Sequence, residues 1–288
     1  MYSTASLSAE STVAFTDSFE GSSLSGKKES IKAGKNSGRV IVKVTNTVSK
    51  TTMVKAFQEI DRLTTIDFQN NGNKLQDIRI IDPEKHNKYL FPSTVTFDAS
   101  GKLSDTEAFD KNFKPNTDSI NKMCKEALQT MGRKLHWRNC TVEAWCSLLR
   151  YPFTSEQALI CNMPWHRDLC TLSMTTLLSP YNQNDNGFCG GALSFAKDSN
   201  VSGTLPRSSS GIPEKSTIKT FEYKEQGDGF IFDSINTLHK VEKMYVLNEK
   251  KLKERSVQRL LLVCFTNPSE DDVRYLSVAL GEENLALV

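Results

Sequence analysis

The sequence predicts an α+β protein whose second half is a β-sandwich or jelly roll, with supporting helices on its N-terminal side. Two observations carry this. From about residue 136 onward, eight or nine short β-like runs follow one another, separated by Gly, Pro, Asn and Ser. Before residue 136, two segments instead carry apolar residues at helical spacing. At 288 residues, with 38% hydrophobic and 24% charged side chains, the chain is long enough to bury a sizeable core.

Residues 1–38 are rich in Ser, Thr, Gly and Lys and poor in large apolar side chains, the composition of a flexible tail. A domain over 39–288 follows, with a helical and β support (39–135) and a β core (136–288). RVIVKVTN (39–46) alternates apolar and polar residues and reads as a strand. In SKTTMVKAFQEIDRLTT, Met53, Phe57, Ile60 and Leu63 share one helical face, with Ser49 or Thr51 as the cap. LQDIRIID and STVTFDA read as short strands. TDSINKMCKEALQTMGRKL (117–135) is a second amphipathic helix, with Ile120, Met123, Leu128 and Met131 on one side.

The β core is expected from CTVEAWCSLLRY, ALICNMPW, TLSMTTLL, GALSFA, TIKTFEYK, GFIFDS, HKVEKM, RLLLVCFT and, less regularly, YLSVAL. Two segments break this rhythm. DSNVSGTLPRSSSGIPEKS (198–216) is polar and rich in Pro and Gly, the composition of a lid-like loop. YVLNEKKLKERSVQ (245–258) is a charged insertion compatible with a helix.

A net charge of +2, from 36 basic and 34 acidic residues, provides no broad basic field and argues against a nucleic-acid partner. No apolar run is long enough to cross a bilayer, and the first residues lack the pattern of a secretory signal. Seven cysteines without a C-x-x-C pair read as reduced thiols. The expected location is therefore intracellular, in the cytoplasm. Any histidine-based site must draw on His86, His136, His166 and His239.

PWHRDL (164–169) places His166 and Asp168 two residues apart. On an extended segment, residues i and i+2 project from the same face, so an imidazole nitrogen and a carboxylate oxygen can reach one ion. A distant second imidazole completes a two-His, one-carboxylate set, which leaves coordination positions open as in non-haem Fe(II) oxygenases. HRDL is also similar to the catalytic loop of protein kinases, but that loop needs Asn where Ser173 stands, and neither a Gly-rich loop nor Asp-Phe-Gly accompanies it.

In order, the chain carries LLRYP, WHRDL, TTLLSP, GGALSF, GDGFIFDS, LHKVEKM and RLLLVCF. This series resembles the Fe(II)- and 2-oxoglutarate-dependent dioxygenase superfamily, and in particular its prolyl-hydroxylase-like branch, over about residues 148–266. The resemblance implies a double-stranded β-helix core. It implies His166, Asp168 and His239 as the iron ligands, with Fe(II) as metal, 2-oxoglutarate as co-substrate and O2 as oxidant. Tyr151, or its neighbour Arg150, stands where a tyrosine of the co-substrate pocket is expected. An arginine that pairs with the far carboxylate of 2-oxoglutarate is expected after the distal histidine, and Arg255 and Arg259 both qualify. Arg259 begins an apolar strand and is favoured, because a buried guanidinium needs a carboxylate partner, whereas Arg255 sits among charged residues. Leu261 occupies a position where many relatives have Ser.

The expected activity is hydroxylation of a C–H bond, with a peptidyl residue such as proline as first substrate and a small molecule as second. Two alternatives stand beside it. One is a catalytically inactive jelly roll used for binding. The other is a metal-dependent cupin-type enzyme that does not use 2-oxoglutarate.

Overall fold

The computed structural model describes residues 40–71, 93–107, 118–152, 163–168, 170–179, 188–196, 218–234, 237–246, 258–268 and 285–286. The tail, the run LQDIRIID, the 198–216 loop, Arg255 and YLSVAL lie outside the described residues.

Chain order begins with β1 (Val40–Val44), α1 (Lys50–Asn71), β2 (Ser93–Phe97), β3 (Leu103–Asp105) and α2 (Asp118–Lys134). Strands β4 (Cys140–Pro152), β5 (Met163–His166), β6 (Leu172–Leu177), β7 (Phe188–Gly190) and β8 (Leu193–Ala196) follow. The remainder is β9 (Ile218–Phe221), β10 (Gly229–Asp233), β11 (Leu238–Val241), β12 (Met244–Val246), β13 (Gln258–Asn267) and β14 (Leu285–Ala286).

The strand order establishes a jelly roll. One sheet runs β14-β1-β10-β6-β13-β4-β2-β3, and a second runs β5-β11-β8-β9. The chain passes from β4 in the large sheet to β5 in the small one, then back to β6. It goes on to β8 and β9 in the small sheet, β10 in the large, β11 in the small and β13 in the large. Every pairing is antiparallel, and the crossing between sheets produces the two interlocked Greek keys of a double-stranded β-helix.

Side-chain alternation divides the large sheet between two cores. On β13, Leu260, Leu262 and Cys264 join a cluster with Met53, Ala56 and Ile60 of α1 and with Ile120, Met123, Leu128 and Met131 of α2. Leu261 and Val263 face the other way, into the barrel, with Leu177, Phe195, Phe230 and Phe232. The two helices therefore back the large sheet, as their amphipathic patterns require.

Each helix helps to start the other. The Ser49 hydroxyl accepts from Thr52 N–H at 3.3 Å, which makes Ser49 the cap of α1. Glu126 of α2 accepts from Ser49 N–H at 2.8 Å and from the Thr52 hydroxyl at 2.7 Å. In return, Glu59 of α1 accepts from Ile120 N–H at 2.8 Å in the first turn of α2. These long-range carboxylates satisfy backbone donors that a helix cannot satisfy itself.

Two expectations change in detail. HKVEKM is not one strand: β11 ends at Val241, and Met244 opens β12, which pairs with β7. The break sits at Glu242 and Lys243. There Glu242 N–H donates to Ala192 O at 2.8 Å, and Lys243 O accepts from Gly191 N–H at 3.2 Å. The supposed helical insertion begins as strand, since Tyr245 and Val246 belong to β12. His136 is a turn residue with φ 55° at the boundary between α2 and β4.

Candidate metal centre

The site lies at one end of the barrel, where the small sheet meets the large one. Strands β5 and β11 are hydrogen-bonded neighbours, and their register sets His166 directly across from His239. The two imidazoles are 4.2 Å apart between ring centres and inclined at 53°. Asp168 follows the end of β5, where its N–H donates to Ser234 O at 3.1 Å. Its Oδ1 is 3.7 Å from His166 Nε2, and its Oδ2 is 3.7 Å from His239 Nε2. One donor atom from each of the three residues lies within 4.8 Å of the others. The i, i+2 spacing and the distant histidine are thus brought together as expected.

His239 is 4% exposed. Its ring stands edge-on to Phe232 at 4.8 Å, and Phe195 lies 6.2 Å away. Burial, reinforced by His166, pushes its pKa down to about 4, although Asp168 and the Thr237 carbonyl oppose this. The imidazole is therefore neutral at physiological pH. Its Nδ1 lies 2.9 Å from Thr237 O, so Nδ1 carries the proton and the Nε2 lone pair is directed at Asp168. A neutral imidazole with a fixed tautomer is what a metal ligand requires. Asp168 is itself held, because the Ser173 hydroxyl donates to Oδ2 at 2.7 Å. Behind Ser173, burial and the Asp168 charge raise the Cys170 thiol to about 12, so it stays protonated. Two nitrogens and one carboxylate on a single patch match the donor set that suits non-haem Fe(II).

Arg259 lies in the interior of the same barrel and is 1% exposed. Its Nη2 donates to Gly191 O at 2.7 Å, and its guanidinium sits 5.5 Å from the centre of the Tyr223 ring. Gly191 has φ +77°, and a Cβ there would stand 2.9 Å from Arg259 Nε. The second glycine of GGALSF therefore makes room for the guanidinium as well as forming a turn. Tyr151 lies opposite Arg259 in the β4–β13 register, and Arg150 lies opposite Leu260. The side chains of Tyr151 and Arg150 lie outside the described residues.

Sequence reasoning missed Ser173, Thr175 and Tyr223. Tyr223 is 1% exposed, and its hydroxyl donates to Thr175 Oγ1 at 2.9 Å. Ser173 and Thr175 are alternate residues of β6 and so face the same side, about 6.6 Å apart along the strand. They form a polar row inside the barrel, with the Asp168 carboxylate at one end and the Tyr223–Arg259 pair at the other. The available signal was the run of hydroxyls in TLSMTTLL, which alternation puts on two faces.

No family model matches the chain, and no curated protein matches it. Among solved structures, it is similar to IDO from Bacillus thuringiensis, at 12% identity over 80% of this chain and 93% of that one, with TM-score 0.44. AviO1 from Streptomyces viridochromogenes Tue57 is 16% identical over 80% and 90% of the two chains, also with TM-score 0.44. A prolyl hydroxylase from Trichoplax adhaerens, solved with a hypoxia inducible factor peptide fragment, is 12% identical over 83% and 86%, with TM-score 0.44. Others are described as Fe(II)- and 2-oxoglutarate-dependent oxygenases. At these identities and TM-scores, the chemistry below rests on the chain's own residues.

Proposed function

We propose that this protein is an Fe(II)- and 2-oxoglutarate-dependent dioxygenase that hydroxylates a C–H bond. The carrying observation is the convergence of His166, Asp168 and His239 at the mouth of a barrel that also encloses Arg259. The three ligand side chains would hold Fe(II), and the neutral His239 with its fixed tautomer suits this without further change. Arg259 would receive the far carboxylate of 2-oxoglutarate, from its buried place in the barrel interior. A planar guanidinium binds a carboxylate through two parallel hydrogen bonds, and burial strengthens that pair. Tyr151, opposite Arg259 in register, would line the same pocket.

When bound together, the metal, 2-oxoglutarate and O2 supply the oxidising equivalents for hydroxylation, with succinate and CO2 as co-products. The chain's own part is to orient and to exclude water. Phe195 and Phe232 wall the metal ligands on the apolar side. Trp145 and Phe265 stack at 5.6 Å, and Phe265 lies opposite Ser173 in the register, next to the residue that holds Asp168. This half-exposed aromatic pair suits an apolar ring or side chain as substrate. A peptidyl residue such as proline is the first choice, on the motif resemblance, and a small molecule the second.

Anaerobic addition of Fe(II) and 2-oxoglutarate is expected to give a weak visible charge-transfer band. In air, the protein should release succinate slowly even without substrate. Asp168→Ala should abolish both while leaving the unfolding transition in place. Near-normal succinate release by that variant would show the site assignment to be wrong. Metal binding with no dependence on 2-oxoglutarate would favour the cupin-type alternative.

A further inference from the structure

The carboxylate arm of the metal site is anchored in the opposite sheet. Asp168 follows β5 of the small sheet, whereas Ser173 lies on β6, in the middle of the large one, between Phe232 of β10 and Phe265 of β13. The hydrogen bond from Ser173 Oγ to Asp168 Oδ2, 2.7 Å long, therefore spans the seam between the sheets. Ser173 is fully buried, and its hydroxyl has one proton, which this bond commits to the carboxylate. Behind it, Cys170 Sγ lies 3.2 Å from both Ser173 Oγ and Ser234 Oγ, and Ser234 Oγ donates to Cys170 O at 2.9 Å. Ser234 O also accepts from Asp168 N–H, and Ser234 N–H donates to Thr171 O, both at 3.1 Å. Side chain and backbone of Asp168 are thus held by one set of residues.

We propose that Ser173 is a positioning residue that makes Asp168 a one-oxygen ligand. Its hydroxyl occupies Oδ2, so that Oδ1 is left to face the metal. Among the described residues, Oδ1 accepts no hydrogen bond, and Ser173 takes the only one made to Oδ2. A carboxylate free to swing would chelate through both oxygens and fill a coordination position that the co-substrate or O2 needs. This inference rests on the metal-site reading above and extends it to the mode of binding.

The test uses Co(II) as a spectroscopic probe with the full-length protein. Ser173→Ala removes the donor, and Ser173→Cys keeps a weaker one at nearly the same size. Co(II) affinity should fall about 10- to 100-fold in Ser173→Ala, the range typical of lost outer-shell partners. Ser173→Cys should fall between the variant and wild type. Infrared difference spectra on protein labelled with 13C at the Asp carboxyls should show the wide stretching separation of one-oxygen binding in wild type. In Ser173→Ala that separation should narrow towards the two-oxygen pattern, a change that loss of stability alone would not produce. If Co(II) affinity and carboxylate stretches are the same in Ser173→Ala as in wild type, the positioning role is overturned while the metal site stands. Absence of any Co(II) binding to wild type that depends on Asp168 would overturn the metal site and this role with it.

Discussion

Gly191→Ala should separate the proposed co-substrate pocket from the proposed metal site. Gly191 adopts φ +77°, where an L-residue is strained by about 1–2 kcal/mol. The new methyl would stand 2.9 Å from Arg259 Nε and 2.9 Å from Met244 Cγ. Both neighbours are flexible side chains, so they yield, and most of the stability loss is the backbone strain. For a domain of this size, that corresponds to a fall in Tm of about 2–8 °C. The functional loss has a different origin. The guanidinium must leave the position from which it donates to Gly191 O at 2.7 Å. Misplacing one charge-assisted hydrogen bond costs about 1.5–3 kcal/mol, or about 10- to 150-fold in the Kd for 2-oxoglutarate. Titrating 2-oxoglutarate into the anaerobic Fe(II) protein reads that Kd directly, while Co(II) affinity reports the three ligands separately. Weaker 2-oxoglutarate binding with unchanged Co(II) affinity is the expected pair. If 2-oxoglutarate affinity stays within about twofold of wild type while Tm falls, Arg259 is not the carboxylate partner.

His239 predicts a pH dependence for the metal-free protein. Its folded pKa of about 4 lies below the ordinary 6.5, so the unfolded chain takes up the proton first as pH falls. Stability is complete above pH 6.5 and declines toward pH 4, by roughly 3 kcal/mol from this group. Urea midpoints at several pH values should show the decline, and His239→Gln should flatten it. Tyr223→Phe keeps the ring against Arg259 but removes the donor to Thr175. It should cost about 1 kcal/mol of stability and weaken 2-oxoglutarate about fivefold, as read by the KM for succinate release.

The jelly roll was legible because short alternating strands leave a period of two in the sequence. His166 and Asp168 were legible because two residues along an extended chain is a geometric relation. His239 needed the order of blocks around it, since register across β5 and β11 is set by long-range pairing that no local pattern encodes. Ser173 drew notice only as the residue that excluded a kinase, because its partner lies across the seam of two sheets. Tyr223 looked like one more strand aromatic, and only burial beside Arg259 distinguishes it from Phe221. The split between β11 and β12 was hidden for the same reason: Lys243 O is engaged by Gly191, a partner 52 positions away.

The large sheet is a partition, and this has a consequence for how the protein can change. Along β13, Arg259, Leu261, Val263 and Phe265 face the chamber, whereas Leu260, Leu262 and Cys264 face the helices. Residues adjacent in the chain therefore answer to separate demands. Substitutions at odd-numbered positions of this strand reshape what the chamber accepts, and those at even-numbered positions test only whether the helices stay seated. Selection can recut the chamber for a new guest without renegotiating the support behind it.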